Sequence, residues 1–377
     1  MNSDSQKIAV AMSGGVDSSV AAYLLAKEGY APFGISMQVW DYRNQGGSCS
    51  RATCCSPDDF TDARRVAGKI SIPYYVFDFE KVFEERVIQK FVRTYEQGMT
   101  PNPCVDCNSK VKFFELRNRA NKIGCEVVAT GHYAQISKDE TGYHLLRGVD
   151  SDKDQSYFLY NLSQEELSKT LFPVGHLTKP EVREIAHSTG LPTASKPESQ
   201  DICFVSGTVA EFMKRRGVEP KSGKIVDQAG KLLGEHEGVH LYTVGQRRGL
   251  KVGGGEVPLY IIEIDTSTQT VVVGPKESLE RSSFSVNELN WVSPLYANEL
   301  TRPKSFTCLV QLRHRHKGVK VSVKLNEDYS AELTFVDEWS TVSPGQAAVF
   351  YDLTNTEVLG GGRISQTLAL NTIKNAA

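Results

Sequence analysis

The run Ser13-Gly14-Gly15-Val16-Asp17-Ser18-Ser19 lies between the apolar Ile8-Ala9-Val10-Ala11-Met12 and a helical pattern. A glycine-rich turn there lets backbone N–H groups approach phosphate oxygens, and the helix N-terminus adds partial positive charge, so the loop suits an anion. No Gly-Lys-Ser/Thr follows, which excludes the Walker arrangement. An ordinary strand-to-helix turn explains a lone Gly-Gly pair, but explains the whole heptad less well. In Thr100-Pro101-Asn102-Pro103-Cys104-Val105-Asp106-Cys107-Asn108, two prolines stiffen the backbone around a Cys-x-x-Cys at the start of a helical pattern. The helix dipole, with Lys110 and Lys112 nearby, favours thiolates. A third stretch, Glu198-Ser199-Gln200-Asp201-Ile202-Cys203-Phe204, places another cysteine in a polar, loop-like segment. Three readings stand for these thiols: idle packing, a zinc or iron–sulfur site on Cys104, Cys107 and Cys203, or sulfur transfer by thiol–disulfide exchange. A four-thiolate site needs one more ligand than the spacing supplies. Cys49, Cys54 and Cys55 sit in a Gly/Ser-rich loop and receive no role.

The elements that must position these residues divide the chain. Ile8–Met12, Pro32–Trp40, Tyr74–Phe79 and Glu126–Thr130 read as strands, alternating with helical patterns at 17–28, 57–70, 80–97 and 109–123, the signature of a parallel α/β sheet. Beyond about residue 207, Val257–Asp265, Thr270–Val273, Phe306–Arg315, Val319–Leu325, Ala331–Phe335 and Ala347–Tyr351 alternate as strands. We expect an α/β domain over 1–205, a small, mainly β central domain over 206–280 and a C-terminal β-barrel over 281–377. The 377 residues, 40% hydrophobic and 23% charged, suffice for several cores and argue against long disorder or a disulfide-stapled miniprotein. The polar Met1–Lys7 lacks the layout of a secretory signal, and no apolar run approaches bilayer length, so we expect a cytoplasmic protein with reduced thiols and no membrane partner. Net charge is only −2, yet Arg302, Lys304, Arg313, Arg315, Lys317, Lys320 and Lys324 fall in a stretch without Asp or Glu. Arg313 and Arg315 on a strand would share one face, suited to tracking phosphates. Solubility or guarding of a sheet edge is the plainer reading of such a strand.

The first loop resembles the pyrophosphatase loop, SGGxDS, of adenine nucleotide alpha hydrolase-like enzymes that cleave ATP between the α- and β-phosphates. With AMSGGVDSS at 11–19, CCSPDDFTDARRVA at 54–67, TPNPCVDCN at 100–108, ATGHYA at 129–134, SDKDQSYFLY at 151–160, LFPVGHLTKPEVREIA at 171–186, SQDICFVSG at 199–207, YTVGQRRGL at 242–250 and SPGQAAVFY at 343–351, the chain resembles the tRNA-specific 2-thiouridylases over nearly its whole length. The resemblance implies ATP-dependent thiolation of the wobble uridine of tRNA, by adenylation of the uracil C2 oxygen. It implies that ATP, with Mg²⁺ near Asp17, meets Ala11, Met12, Ser13, Gly14, Gly15, Val16, Asp17, Ser18, Met37 and Gly131. Cys203 would carry a persulfide, Cys107 would act as nucleophile, and a Cys107–Cys203 disulfide would close the cycle. Asn102, Pro103 and Cys104 would touch the target base; where some relatives have an aspartate as general base, this chain has the thiol of Cys104. His132, Lys153, Asp154, Gln155, Arg313, His314 and Gln346 would meet tRNA. The implied partners are tRNA and a sulfur-donor protein, either a cysteine desulfurase or a relay carrier, acting on a monomer; no metal ligands are assigned, and an iron–sulfur cluster is compatible but not expected.

Overall fold

The computed structural model describes residues 5–40, 57–198, 202–205, 207–250, 252 and 257–369; Cys49, Cys54 and Cys55 lie outside them. Parallel strands β1 (Lys7–Ala11), β2 (Ala31–Gln38), β3 (Tyr74–Asp78) and β4 (Val127–Thr130) form the first sheet. β5 (Ala134–Lys138) and β6 (Tyr143–Arg147) make a separate hairpin, and β7 (Thr170–Leu171) completes the sheet in the order β3-β2-β1-β4-β7. β1 is apolar throughout its middle because both faces are covered. Ile8 and Val10 pack with helix α1 (Val16–Lys27) and the Ala63 and Val66 side chains of helix α2 (Pro57–Lys69). Ala9 points to the opposite cluster, around Phe83, Phe91 and Phe204. The helical run at 80–96 and the one at 103–122 cover that second face.

The central sheet joins β8 (Gly223–Asp227), β9 (Leu232–His236), β10 (Tyr260–Asp265) and β11 (Thr270–Gly274) in the order β10-β11-β8-β9. The last sheet contains β12 (Glu280–Trp291), β13 (Ser305–Gln311), β14 (Val319–Leu325), β15 (Ala331–Phe335), β16 (Ser340–Thr341), β17 (Ala347–Tyr351) and β18 (Val358–Ala369). Its order is β15-β14-β13-β17-β18-β12-β16, and an extra β12–β15 pairing closes six strands into a barrel. Closure removes the free edges that an open sheet of this kind would expose. Among the described residues no helix is long and apolar enough to cross a membrane.

The expected α/β architecture followed by two β-rich parts is present, with local differences. The strand read over Phe306–Arg315 stops at Gln311. Gln311 Nε2 donates to the carbonyls of His314 at 2.6 Å and Arg313 at 3.3 Å, and His316 N donates to Arg313 O at 2.9 Å, which turns the chain away from the ladder. Arg313 and Arg315 therefore project from a turn, both exposed, rather than from one face of a strand. The helix expected from 109 starts at Pro103, whose missing N–H and fixed φ suit a first helical position, so the Cys-x-x-Cys forms the opening of the helical run.

The hairpin β5–β6 leans on the barrel. His144 Nδ1 lies 2.9 Å from Glu357 Oε1 and its Nε2 3.1 Å from Asp139 Oδ2. Burial pulls this imidazole's pKa down, but the hydrogen bonds and charges of the two carboxylates outweigh it and raise the pKa above its ordinary value. A raised pKa means that this stabilisation is present in full below the unfolded-state value and fades as pH climbs through the folded-state value. Hydrogen exchange, corrected for intrinsic rates, is expected to show protection at 143–147 falling about threefold or more between pH 6 and 8.5. In His144→Gln that pH dependence should vanish; an undiminished one would contradict the assignment.

Candidate active site

The end of β1 is tied to β2 before the chain leaves the sheet. Met12 N donates to Ile35 O at 2.9 Å, and Met12 O accepts from Ser36 Oγ at 2.6 Å. Gly14 takes a φ of +71°, and a Cβ there would stand 2.3 Å from the Asp59 carbonyl oxygen, so glycine is what lets α2 close over the turn. Gly15 caps α1 without a side-chain hydrogen bond. The hydroxyls turn inward instead: Ser18 Oγ and Ser19 Oγ donate to Gly15 O at 3.1 and 2.8 Å, and Ser13 N donates to Ser18 Oγ at 3.2 Å. The first-turn N–H groups of α1 are thereby left to an outside anion. Gly131 follows β4, and a Cβ on it would lie 2.6 Å from Ser18 N and 2.7 Å from the Asp17 carbonyl carbon. Both loops leave the carboxyl ends of neighbouring strands where the strand order reverses, the place at which open parallel sheets bind ligands.

A chain of charges runs beside this loop. Lys179 Nζ lies 2.7 and 2.9 Å from the two oxygens of Asp17 and 3.0 Å from Glu198 Oε1, while Lys153 Nζ holds the other Glu198 oxygen at 2.8 Å. Burial pushes the Glu198 carboxyl up, but the two ammonium groups outweigh that and bring it down to about 2. Tyr133 donates its hydroxyl to Asp17 Oδ1 at 2.7 Å, and burial together with that carboxylate raises its pKa strongly. Lys179 is buried and was absent from the residues expected here. The readable signal was its place at the first position of the helix Lys179–Ser188, where a cation opposes the helix dipole and so calls for a partner.

The cysteine turn is built from two directions. Asn102 hydrogen-bonds to buried Tyr157. Gln346, from the barrel, donates Nε2 to the carbonyls of Thr100 at 3.1 Å and Pro101 at 3.2 Å, and Thr100 N donates to Pro344 O at 2.9 Å. Asp106, between the two cysteines, accepts from Arg363 Nη2 at 2.5 Å on each oxygen. Cys104 is exposed on this turn, whereas Cys107 is half-buried against the cluster of Phe83, Phe91 and Phe204. Cys203, with 95 residues between it and Cys107, borders the same cluster. Its neighbour Phe204 is the anchor, with its ring centroid 5.1 Å from Phe91, 5.6 Å from Phe83 and 5.4 Å from Phe212. Ala11 and Met37, expected at the nucleotide, pack on this cluster as well.

Residues 6–207 match the family model described as tRNA methyl transferase HUP domain, 210–275 the tRNA methyl transferase PRC-barrel domain, and 281–364 the aminomethyltransferase beta-barrel domain. Among solved structures the chain is similar to NMN synthetase from Francisella tularensis, at 16% identity and a TM-score of 0.32 over 53% of this chain and 69% of that one. It is 46% identical over 376 residues to the tRNA-specific 2-thiouridylase MnmA of Geotalea uraniireducens (strain Rf4), covering 98% of this chain and 97% of the relative. Against the protein of that name from Chloroflexus aggregans (strain MD-66 / DSM 9485), identity is 44% over 362 residues, covering 95% and 98%. The chain belongs to the tRNA-specific 2-thiouridylase family.

The positions at which a 2-thiouridylase of this kind is expected to meet tRNA have varied surroundings. Arg313 is exposed on its turn, and His314 beside it is half-buried, with Nε2 3.0 Å from Asp154 O and its ring 4.6 Å from that of Phe158. Asp154 itself is buried; it accepts from Arg147 Nη1 at 2.5 Å, Gly148 N at 3.0 Å and Ser156 Oγ at 2.9 Å, which fixes the loop's shape. Gln155 exchanges hydrogen bonds with the Tyr133 backbone, and Lys153 is the partner of Glu198. His132 is 8% exposed, its Nδ1 lies 2.6 Å from Thr130 Oγ1, and burial with the nearby Lys112 charge holds its pKa well below the ordinary value, so it is neutral.

The contact behind Gly131 generates a direct test. Gly131→Ala puts a methyl group against the first turn of α1, and nucleotide affinity measured by calorimetry is expected to drop at least about tenfold while the far-UV spectrum is retained. Wild-type affinity in that variant would show that the first turn of α1 does not hold the nucleotide.

Proposed function

We propose that this chain is an ATP-dependent tRNA-uridine 2-sulfurtransferase that forms 2-thiouridine at the wobble position and releases AMP and pyrophosphate. The carrying observation is that Ala11 and Met37 beside the phosphate loop, Cys107 of the proline-framed turn and the distant Cys203 all border one apolar cluster. The family relatives that bear the 2-thiouridylase name support the same reading. In it, ATP lies on residues 11–18 with Met37 and Gly131 alongside, and Asn102, Pro103 and Cys104 meet a uridine turned out of its stack, as enzymes acting on a base require.

The uracil C2 oxygen attacks the α-phosphorus, the bond to the β-phosphate oxygen breaks, and pyrophosphate leaves. Adenylation turns a poor leaving oxygen into AMP. The terminal sulfur of a Cys203 persulfide then attacks C2 and expels AMP, leaving the base joined through two sulfurs to Cys203. The Cys107 thiolate attacks the Cys203 sulfur, the S–S bond to the base breaks, and its electron pair stays on the sulfur now at C2. A Cys107–Cys203 disulfide results, so an external dithiol must reduce it and a sulfur donor, a desulfurase or a carrier, must reload Cys203. Mg²⁺ fits as the companion of the triphosphate, because Asp17 offers the single carboxylate such ions take alongside phosphate oxygens, and it would neutralise charge on the leaving pyrophosphate. Among the described residues no three His, Cys, Asp or Glu side chains converge to hold a metal, and no step is routed through a cluster. The exposed Arg313 and Arg315 suit phosphates of the stem.

Wild-type protein supplied with ATP, Mg²⁺, a persulfide donor, reductant and unmodified tRNA is expected to yield 2-thiouridine on digestion and mass spectrometry. Cys203→Ala should lose product by about 100-fold or more with ATP affinity unchanged. Equal product from both would move sulfur carriage off Cys203, and no product from either, with competent reagents, would overturn the sulfurtransferase reading.

A further inference from the structure

The charges around the cysteine turn are assembled from four separate parts of the chain. Asp106 lies between Cys104 and Cys107, Lys90 comes from the helical run at 80–96, Glu288 from β12, and Arg363 from β18. Arg363 grips both Asp106 oxygens at 2.5 Å, reaches Glu288 Oε2 through Nε at 3.2 Å, and donates Nη1 to Gly345 O at 3.4 Å. Lys90 Nζ lies 2.9 Å from Glu288 and 3.4 Å from Asp106. Asp106 is 5% and Arg363 9% exposed, so the pair is shielded from water and salt. One nitrogen, Nη2, meets both Asp106 oxygens, while Nη1 and Nε hold Gly345 and Glu288, so the guanidinium plane is fixed by three separate partners. It also occupies both oxygens of Asp106, the acid nearest the two thiols in sequence.

We propose that Arg363 is a positioning residue for sulfur transfer: by clamping Asp106 it sets where Cys104 and Cys107 stand, so the C-terminal barrel completes the reaction site besides holding RNA. This rests on the sulfurtransferase reading above. The barrel suits the task because the turn bearing Arg313 leaves β13, β13 pairs with β17, and β17 pairs with β18, so the RNA-facing arginine and the clamp are built on one closed sheet. Neighbouring β17 contributes the Tyr157 hydroxyl contact at Ala347 O, 3.0 Å, and Gln346 just before it holds Thr100 and Pro101. Thr100, Pro101 and Asp106 of this turn are thus each held by barrel residues.

The test compares wild type, Arg363→Gln, Arg363→Lys, Asp106→Asn and the double variant Asp106→Asn with Arg363→Gln. At saturating ATP and tRNA, Arg363→Gln is expected to lower kcat for 2-thiouridine about 30-fold or more, with the affinities for ATP and tRNA within threefold of wild type. Cys107 alkylation by iodoacetamide, read by peptide mass spectrometry without tRNA, should change at least fivefold in rate. The double variant should be no slower than the worse single one, as expected when both changes break one contact. Arg363→Lys keeps the charge but cannot hold Asp106, Glu288 and Gly345 through three separate nitrogens, and should fall between wild type and Arg363→Gln; it replaces that variant if the latter does not fold. A folded Arg363→Gln or Arg363→Lys with wild-type kcat and alkylation rate would overturn the proposal, as would a loss confined to tRNA affinity. If wild type itself makes no 2-thiouridine, the sulfurtransferase reading fails, and the alkylation rates still decide whether Arg363 sets the turn.

Discussion

The buried ion pair between Arg363 and Asp106 is the constraint on which the arrangement of this molecule turns. Removing two charges from water is costly, and the cost is offset here by the further hydrogen bonds of Arg363 to Gly345 and Glu288 and by a second pair, Lys90 with Glu288, that balances the count of charges. Breaking such a buried pair by deleting one partner costs on the order of 3–5 kcal/mol, because the other charge is left stranded. A contact of that size, placed between the last barrel strand and the turn that bears Cys104 and Cys107, ties the barrel to the sheet domain. The sheet domain supplies the turn, but its setting comes from residues more than two hundred positions later.

The same logic of close approach governs the nucleotide side. Gly14 under Asp59 and Gly131 behind Ser18 admit no side chain, and together they bring α1, α2 and the end of β4 to one point. Around that point the charges alternate, Asp17, Lys179, Glu198, Lys153, so that the loop acid is neutralised before any phosphate arrives. The segment from 150 to 198 is therefore part of the electrostatic frame of the phosphate loop. Lys153 lies in that frame, with its ammonium group committed to Glu198.

Much of this was legible in the order of residues. The apolar runs of β1, β2, β3 and β4 and the punctuation around α1 and α2 are local properties, and the sheet and helices stand within a few residues of where periodicity puts them. The phosphate loop and the Cys-x-x-Cys are contiguous motifs and could be read as such. What escaped is what depends on partners distant in sequence. β18 contains Gly360, Gly361 and Gly362, which resemble a loop; yet Cβ atoms there would meet Asn290 O at 2.4 Å, Ala348 O at 2.7 Å and Val286 Cγ1 at 2.5 Å, so the glycines are what allow three strands to pack. The strand expected through Arg315 ended early because Gln311, a residue with no strong turn signature, caps the turn with its own side chain. Arg363 went unread for a related reason, since its partners Asp106 and Glu288 lie far from it in the chain.

The central claim is that sulfur passes from Cys203 to the base and that Cys107 ends the transfer. A single turnover tests it most directly: protein loaded with one equivalent of isotopically labelled persulfide is mixed with ATP, Mg²⁺ and unmodified tRNA, without reductant. At most one labelled 2-thiouridine per chain is expected, together with a new peptide pair linked between Cys107 and Cys203 in matching amount. Continued turnover without reductant, or labelled product formed without that linked pair, would contradict it.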